Sequence, residues 1–334
     1  MHNYKVGAFY GGYGSALLGA SWGDYEEHYF EPIFLCEPRK EFSAENTIEN
    51  FPNLKICSSP VDVDIRQADL VWGSPPCAQF STLGVKRDDF GKLDRINPAE
   101  FDYYKFLNVM AINQVPVFVL ENVPRVLKYF SFEDDFVLFC GRRCLQMAGY
   151  KFQVVEIDAN TCGVPQHRKR AYVIGSRLFQ PEAKDPYYYG SHMNPLDPIV
   201  DAHYVGKVVS DVLPLKHTQS ELPRHSEIRK KGFSGLKPGQ SYYGTQNNRR
   251  LFWDKPSFTI TSHCTRHVHP EESRVLSAKE CAKIMGYPDS FKFSGGESKK
   301  LDQIGKAIVP QVAWLISNYI HYELQRAHHK SRYL

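Results

Sequence analysis

Short apolar runs alternate with amphipathic stretches through the first half of the chain. The amphipathic stretches predict helices, and the apolar runs predict strands. The predicted helices lie at 39–51, 99–114 and 134–149, and the predicted strands at 4–9, 32–36, 69–73, 116–121, 151–158 and 171–176. This alternation predicts an α/β fold with a doubly wound, mostly parallel sheet. Because little sequence separates the last two strands, we expect them to form an antiparallel, hairpin-like edge.

The character of the chain changes after residue 176. Residues 179–198 are rich in Pro, Gly, Tyr and Asn and predict irregular structure. Helical patterns return at 277–286 and 307–329. We therefore predict a larger α/β domain over residues 1–176, a smaller, loop-rich insert over 177–275, and a return to the larger domain over 276–334.

Composition places the chain among ordinary globular proteins. Of its 334 residues, 42% are hydrophobic and 23% are charged, which is enough for a sizeable core and unlike a disordered chain. No apolar run approaches the roughly 20 residues of a membrane helix, and no signal peptide is expected. The eight cysteines show no paired CxxC motifs at zinc-site spacing. We therefore expect no metal centre and a reducing cytoplasm.

Positive charge is concentrated in one segment. Residues 216–274 carry eleven Lys or Arg against five Asp or Glu, whereas the rest of the chain carries 30 basic and 32 acidic residues. A basic segment on a slightly acidic body suits a polyanion such as nucleic acid. A solvated, charged face is the alternative interpretation.

A glycine-rich segment follows the first predicted strand, in 9-FYGGYG-14. Gly11, Gly12 and Gly14 would let the backbone approach a ligand closely at the start of a helix. Glu37 ends the second predicted strand, where an acidic residue can accept hydrogen bonds from a ribose diol. Together these features predict an adenosine-bearing cofactor. Because no phosphate-binding lysine follows the glycines, a nucleoside triphosphate is disfavoured.

Two prolines end the third predicted strand, and Cys77 follows them at the start of a polar loop. Open α/β sheets place their chemistry at the carboxyl ends of strands, so Cys77 is a candidate nucleophile; a cysteine that only packs is the alternative. Glu121 ends the fourth predicted strand, at the same expected edge. Because a carboxylate would raise the pKa of a nearby thiol, we expect Glu121 to contact the substrate instead; a capped turn is its alternative role.

Two arginines alternate before the last predicted strand, at Arg168 and Arg170. One of these arginines is expected to point into the site, and the other to hold the polar loop that begins at Cys77. Surface salt bridges are the alternative interpretation of both.

Taken in order, these segments resemble the motifs of the cytosine carbon-5 methyltransferases, which act mostly on DNA. The resemblance covers nearly the whole chain. It rests on FxG at 9–11, PPC at 75–77, ENV at 121–123, QxRxR at 166–170 and 303-QIGKAIVPQVA-313, supported by 256-PSFTIT-261 and 274-RVLSAKECAKIMGYPDSF-291. It implies the S-adenosylmethionine-dependent methyltransferase fold, with residues 177–275 as the target-recognition domain and the remainder as the catalytic and cofactor-binding domain.

The resemblance also implies a covalent mechanism on a cytosine flipped out of double-stranded DNA. Cys77 would attack carbon 6 of the base, and Glu121 would hydrogen-bond ring nitrogen 3 and the exocyclic amine. Arg168 would neutralise and orient the substrate, with Arg170 completing the catalytic set. The polar loop 78–97 would close over the target. We expect its Gln79 and Ser81 to contact nucleic acid.

Further contacts are expected with the cofactor and with the bases of DNA. The residues expected to bind the cofactor are Phe9, Gly11, Gly12, Tyr13, Gly14, Glu37, Pro75 and Lys306. Arginine side chains in the basic insert are suited to reading guanine edges. The residues expected to read DNA are Arg249, Arg250, Arg266 and His267.

Two positions depart from the family pattern, and both belong to cofactor segments. Tyr13 stands where the first motif has glycine, and Lys306 stands where the last motif has asparagine. An ammonium about 5 Å from the sulfonium would repel it by roughly 3 kcal/mol at an effective dielectric constant of about 20. The donor is therefore expected to be S-adenosylmethionine or carboxy-S-adenosylmethionine, whose carboxylate could accept hydrogen bonds from both side chains. The alternatives are that Lys306 points outwards or pairs with a DNA phosphate and that Tyr13 only packs.

Two other functions stay open at this point, a tRNA cytosine-5 methyltransferase and a catalytically inactive regulator that binds nucleic acid. The tRNA branch carries a Cys-Phe-Thr triplet that is absent here, and inactive relatives lose the PPC cysteine or the ENV glutamate, both of which are present. We expect a cytoplasmic monomer of bacterial or phage origin that needs neither a metal nor a membrane.

Overall fold

Two compact units make up the chain in the computed structural model. Unit 1 comprises Met1–Ile157, Lys169–His192 and Ala313–Leu334, and unit 2 comprises Asp158–Arg168 and Met193–Val312. The structure describes residues 3–22, 30–38, 47, 49–76, 102–124, 145–182, 207–213, 222–223, 225–242, 248–262 and 267–331. The functional domain boundaries predicted at residues 176 and 276 stay a prediction; the compact unit 2 extends to Val312.

Unit 1 is built on a seven-stranded sheet with the order β3-β2-β1-β4-β5-β7-β6. The strands are β1 Tyr4–Phe9, β2 Phe30–Cys36, β3 Lys55–Cys57, β4 Leu70–Gly73, β5 Val117–Asn122, β6 Lys151–Asp158 and β7 Lys169–Ser176. The first five pair in parallel, and β7 runs antiparallel to β5. The predicted mostly parallel sheet is confirmed, and β6 and β7 are neighbours at one edge as expected.

The central strands are covered on both faces. Every residue of β4 and β5 is buried, as expected for parallel strands with near-continuous apolar runs. On one face, Phe106 packs edge-to-face on Phe118, with ring centroids 5.9 Å apart. Elsewhere in the sheet, the indole Nε1 of Trp72 donates to Ser317 Oγ at 3.2 Å. Aromatic packing and this contact with the C-terminal helix therefore fix the strands that carry the site.

The helices of the described residues follow the predicted pattern in part. They are α1 Ser15–Ser21, α2 Asp102–Asn113, α3 Glu227–Ser234, α4 Ala278–Ile284, α5 Glu297–Lys306 and α6 Pro310–Ser331. Helices α2, α4 and α6 confirm the predictions at 99–114, 277–286 and 307–329, whereas α3, α5 and strand β3 were not predicted. The helices predicted at 39–51 and 134–149 lie mostly outside the described residues. No described helix combines the length and apolarity needed to cross a bilayer.

Unit 2 contains short elements around a small core. Its three-stranded sheet has the order β10-β9-β8, with β8 Ser241–Tyr242, β9 Asn248–Arg250 and β10 His267–Val268. Helix α4 begins with a reciprocal capping box between Ser277 and Glu280. Glu280 also accepts two hydrogen bonds from Arg274, at 2.7 and 2.9 Å. A buried ion pair therefore anchors the start of this helix.

Candidate active site

The loop between β1 and α1 lies where the chain order of the sheet reverses, between β1 and β4. Open α/β sheets bind ligands outside the carboxyl ends of strands at this position. Gly12 and Gly14 adopt left-handed backbone conformations, with φ of 55° and 83°, which glycine adopts without steric cost. The backbone N–H of Gly12 donates to the Glu37 carboxylate at 3.0 Å. This hydrogen bond joins the loop to the end of β2.

The side chains at this edge fit an adenosine-bearing cofactor. Glu37 is only 6% exposed, and a carboxylate there can accept hydrogen bonds from a ribose diol. Tyr13 and Phe9 are 5% and 4% exposed, and Phe9 packs edge-to-face on Phe34 at 5.5 Å. Phe9 therefore supports the loop from within the core, and the loop backbone and Glu37 present the polar groups.

Tyr10 is a residue of this edge that the sequence did not indicate. It adopts a left-handed conformation with φ of 51°, which is uncommon for a residue with a side chain. Its hydroxyl donates to Asp102 at 3.1 Å, and its backbone N–H donates to the Cys36 carbonyl at 2.9 Å. Burial, followed by the charge of Asp102, raises the pKa of Tyr10. The phenol therefore stays protonated and holds the loop against the start of α2.

Glu121 lies at the carboxyl end of β5, and both of its carboxylate oxygens are engaged. Ser74 Oγ donates to Oε2 at 2.7 Å, and Arg170 Nε lies 3.1 Å from Oε1. The side chain is almost fully buried, so these charge-assisted contacts fix its orientation. Asn122 Nδ2 donates to the Pro75 carbonyl at 3.2 Å. The ENV segment is therefore tied to the backbone that leads to the predicted nucleophile.

The predicted nucleophile Cys77 lies outside the described residues, as do Gln79, Ser81 and Arg266. Pro75, whose side chain is buried, and Pro76 precede the cysteine directly and are described. The structure thus brings Ser74, Glu121 and Arg170 together at the strand end from which this loop departs.

The two arginines of the QxRxR segment belong to different compact units. Arg170 belongs to unit 1 and contacts Glu121. Arg168 belongs to unit 2 and is 3% exposed. Its guanidinium donates to three backbone carbonyls at 2.7, 3.1 and 2.8 Å, those of Ile260, Gly305 and Ala307. This geometry favours a scaffolding role for Arg168, whereas the sequence assigned it to substrate orientation.

Lys306 ends helix α5 in unit 2. Its Nζ lies 2.7 Å from Asp302 Oδ2, one helical turn earlier, and about two-fifths of each side chain is exposed. A cation in the last turn also interacts favourably with the helix dipole. The preceding Gly305 leaves no room for a side chain, because an added Cβ would collide with the backbone of Thr261 and Ser262.

Of the predicted DNA-reading residues that are described, two lie in the interior of unit 2. Arg250 is 3% exposed. Its guanidinium donates to four backbone carbonyls, those of His269, Pro270, Glu272 and Phe233. His267 is fully buried and stacks on Phe258 with ring centroids 4.1 Å apart. Arg249 is exposed, and its guanidinium lies over the Phe258 ring at 5.7 Å. Burial favours structural roles for Arg250 and His267 and leaves Arg249 able to contact a ligand.

The strand order β3-β2-β1-β4-β5-β7-β6, with β7 antiparallel and a glycine loop at the point of reversal, matches the S-adenosylmethionine-dependent methyltransferase fold. Residues 39–321 match the family of C-5 cytosine-specific DNA methylases, and the chain therefore belongs to that family. Membership implies a DNA substrate and S-adenosylmethionine as the donor.

The family match is supported by individual relatives. The chain is 24% identical to the type II methyltransferase M.AgeI of Thalassovita gelatinovora, over 73% of this chain and 80% of that protein. It is 26% identical to M.HindV of Haemophilus influenzae, over 89% of this chain and 84% of that protein. A solved structure described as a prophage-encoded DNA modification methyltransferase of E. coli has the same fold. The TM-score is 0.69 at 20% identity, covering 97% of this chain and 100% of that one.

Proposed function

We propose that the chain methylates carbon 5 of a cytosine flipped out of double-stranded DNA, through a covalent bond to Cys77. The observation that carries the proposal is the Glu121 carboxylate, held by Ser74 and Arg170 at 2.7 and 3.1 Å beside the backbone that leads to Cys77. A buried carboxylate held in one orientation is suited to recognising a flat heterocycle by paired hydrogen bonds. Family membership supports the reaction, and this geometry supports the assignment of Glu121.

The chemistry follows from the electronic structure of cytosine. Carbon 5 belongs to an aromatic ring and is a poor nucleophile until the Cys77 thiolate adds to carbon 6. That addition moves electron density onto carbon 5 and ring nitrogen 3. Glu121 would accept a hydrogen bond from the exocyclic amine and share a proton with nitrogen 3 as charge develops. Arg170 holds the carboxylate in place and offsets the accumulating negative charge.

The cofactor supplies an electrophilic methyl group when it is bound. The loop containing Gly12 and the Glu37 carboxylate would hold its adenosine portion, and carbon 5 would form the new bond as the methyl–sulfur bond breaks. Loss of the carbon-5 proton and elimination of the Cys77 thiolate would then restore the aromatic ring.

Trapping with 5-fluorocytosine tests the covalent step. With fluorine at carbon 5 there is no proton to remove after transfer, so the Cys77 thiolate cannot be eliminated. DNA in which 5-fluorocytosine replaces cytosine should therefore form a denaturation-resistant adduct in the presence of S-adenosylmethionine. Cys77→Ala should give no adduct, whereas Cys162→Ser, which alters a buried thiol of unit 2, should trap like the wild type. An equal yield of adduct from Cys77→Ala would refute the nucleophile assignment. Replacing the DNA with tRNA tests the alternative substrate, and no transfer to either would indicate a binding protein.

Carboxymethyl transfer is a second donor hypothesis and rests on Lys306 and Tyr13. The observation against it is the Lys306–Asp302 ion pair at 2.7 Å, because a neutralised ammonium repels a sulfonium less. We therefore propose S-adenosylmethionine as the donor. Competition between it and carboxy-S-adenosylmethionine, read by mass spectrometry of the product nucleosides, distinguishes the two.

DNA reading is assigned to unit 2, with Arg249 as the main described candidate. Arg249 is exposed and its guanidinium lies above an aromatic ring. Its Nε donates to the Gly239 carbonyl at 2.8 Å, which leaves the two terminal nitrogens as donors to a base edge or a phosphate. The monomeric state and the cytoplasmic, bacterial or phage origin stay predictions.

A further inference from the structure

Two cysteines lie beside the cofactor edge of unit 1 and take no part in the proposed chemistry. Cys36 ends β2 and Cys57 ends β3, and the two are direct partners in the parallel register. Neighbouring strands lie about 4.8 Å apart, within the range of about 4.4–6.8 Å between Cα atoms joined by a disulfide. Because residues in register on parallel strands project to the same face, the two thiols lie side by side on one face of the sheet.

The two thiols differ in access and in acidity. Cys36 is 1% exposed, whereas Cys57 is half-buried. The hydrogen bond between the thiols lowers the pKa of Cys57 and, together with burial, raises the pKa of Cys36. Cys57 is therefore the thiol that solvent can reach and that ionises first. An accessible thiolate beside a second thiol is the arrangement found in redox-sensitive cysteine pairs.

We propose that Cys36 and Cys57 form a reversible disulfide on exposure to hydrogen peroxide, and that this bond weakens cofactor binding. The Cys57 thiolate attacks one peroxide oxygen, the oxygen–oxygen bond breaks, and hydroxide leaves. The Cys36 thiol then attacks the sulfur of the resulting sulfenic acid, forming the disulfide and releasing water. The two thiols lose two electrons, the peroxide gains them, and a dithiol reductant reverses the reaction.

The backbone of each cysteine supports a residue at the cofactor edge. The Cys57 carbonyl accepts from the backbone N–H of Glu37 at 2.9 Å, and the Cys36 carbonyl accepts from Tyr10 at 2.9 Å. Glu37 in turn accepts from Gly12 at 3.0 Å. To form the disulfide, the two sulfur atoms must approach to about 2.05 Å. We expect the resulting shift of the strand ends to reach Glu37 and the glycine loop.

The position of β3 allows this movement. It is a three-residue strand at the edge of the sheet, paired only with β2 among the described strands. Short edge strands are among the least stable parts of a fold. Formation of the disulfide does not depend on the proposed function. The loss of cofactor affinity does depend on it.

Peptide mapping and calorimetry on the full chain test the two parts separately. After peroxide treatment and alkylation, the wild type should yield a Cys36–Cys57 linked peptide. The dissociation constant of the oxidised wild-type protein for S-adenosylmethionine should rise at least about tenfold and recover with dithiothreitol. Cys57→Ser and Cys36→Ser should keep their affinity after peroxide. The control Cys162→Ser should respond like the wild type, because burial raises the pKa of Cys162 to about 12 and leaves it inert.

The outcomes distinguish this proposal from the proposed function. The same loss of affinity in Cys77→Ala would exclude oxidation of the proposed nucleophile as its cause. A linked peptide with unchanged affinity would overturn the coupling, and absence of the linked peptide would overturn the disulfide itself. If the reduced protein did not bind S-adenosylmethionine, the proposed function and the coupling would both fail. The peptide map would still decide whether the disulfide forms.

Discussion

Replacing Ser74 with alanine removes one of the two groups that hold the Glu121 carboxylate. The Ser74 hydroxyl lies 2.7 Å from one carboxylate oxygen, and Arg170 lies 3.1 Å from the other. A hydrogen bond to a charged group contributes about 1.5–3 kcal/mol. Because Glu121 is only 6% exposed, water can replace the lost hydroxyl only in part. If the contact positions Glu121 in the transition state, kcat should fall roughly 10- to 100-fold.

Steady-state methyl transfer measures this effect directly. With tritiated S-adenosylmethionine and excess plasmid DNA, the loss in Ser74→Ala should appear in kcat and kcat/KM equally, because the hydroxyl acts through Glu121. Ser74→Thr keeps the hydroxyl and should recover part of the rate. Ser234→Ala is the matched control, since its exposed hydroxyl bonds only to the Lys231 carbonyl within α3.

Two results would refute this reasoning. A kcat within twofold of the wild type would show that Ser74 does not position the carboxylate. A rise in KM with unchanged kcat would show that the hydroxyl contributes to substrate binding alone. Removal of Arg170 should cost more than removal of Ser74, because it leaves a buried charge uncompensated.

Three further predictions concern the donor, the DNA-reading surface and pH. Lys306→Asn should leave methyl transfer from S-adenosylmethionine intact, because the lysine already pairs with Asp302, and a marked loss of methyl transfer would show that the lysine contributes to donor binding. Arg250→Ala should destabilise the fold by about 3 kcal/mol, measured as a lower Tm, whereas Arg249→Ala should keep the Tm and weaken DNA binding about 5- to 100-fold. Burial lowers the pKa of His321 to about 4, below its unfolded value of about 6.5, so its contribution to stability should be complete above about pH 6.5 and be lost as the pH falls towards 4. In urea unfolding, the free energy of unfolding of His321→Phe should therefore fall less steeply with decreasing pH between these values. A pH dependence equal to that of the wild type would show that this histidine does not contribute to it.

The sequence predicted the centre of the fold better than its periphery. Strands β4 and β5 are buried along their whole length, so their apolar runs were visible without tertiary information. Strand β3 has three residues, too few to show a period. Helix α5 has few apolar residues, and two of its four buried positions are Gln303 and Gly305, so its apolar pattern was weak. The elements that could be predicted are those whose burial requires a continuous pattern of apolar residues.

The site could be predicted only as far as residue type indicates chemistry. Glu121 ends a buried strand, where a carboxylate is unexpected without a function, and the sequence indicated it. Ser74 precedes two prolines, a context that usually indicates a turn, so its contact with Glu121 required the fold. The left-handed Tyr10 was equally hidden, since nothing in the local sequence favours that conformation.

The two arginines of QxRxR show why the sequence alone could not assign a role to each residue. Arg168 and Arg170 are two residues apart, and alternation along a strand sends residues at this spacing to the same face. The spacing alone therefore did not show which of the two points into the site and which holds the loop after Cys77. The structure separates them because the first segment of unit 2 ends at Arg168 and unit 1 resumes at Lys169, so the pair spans a boundary and not one strand. Arg168 satisfies carbonyls of unit 2, and Arg170 satisfies the Glu121 carboxylate of unit 1. A substitution of Arg168 should therefore mainly lower the stability of the fold, whereas a substitution of Arg170 should mainly lower the rate of catalysis.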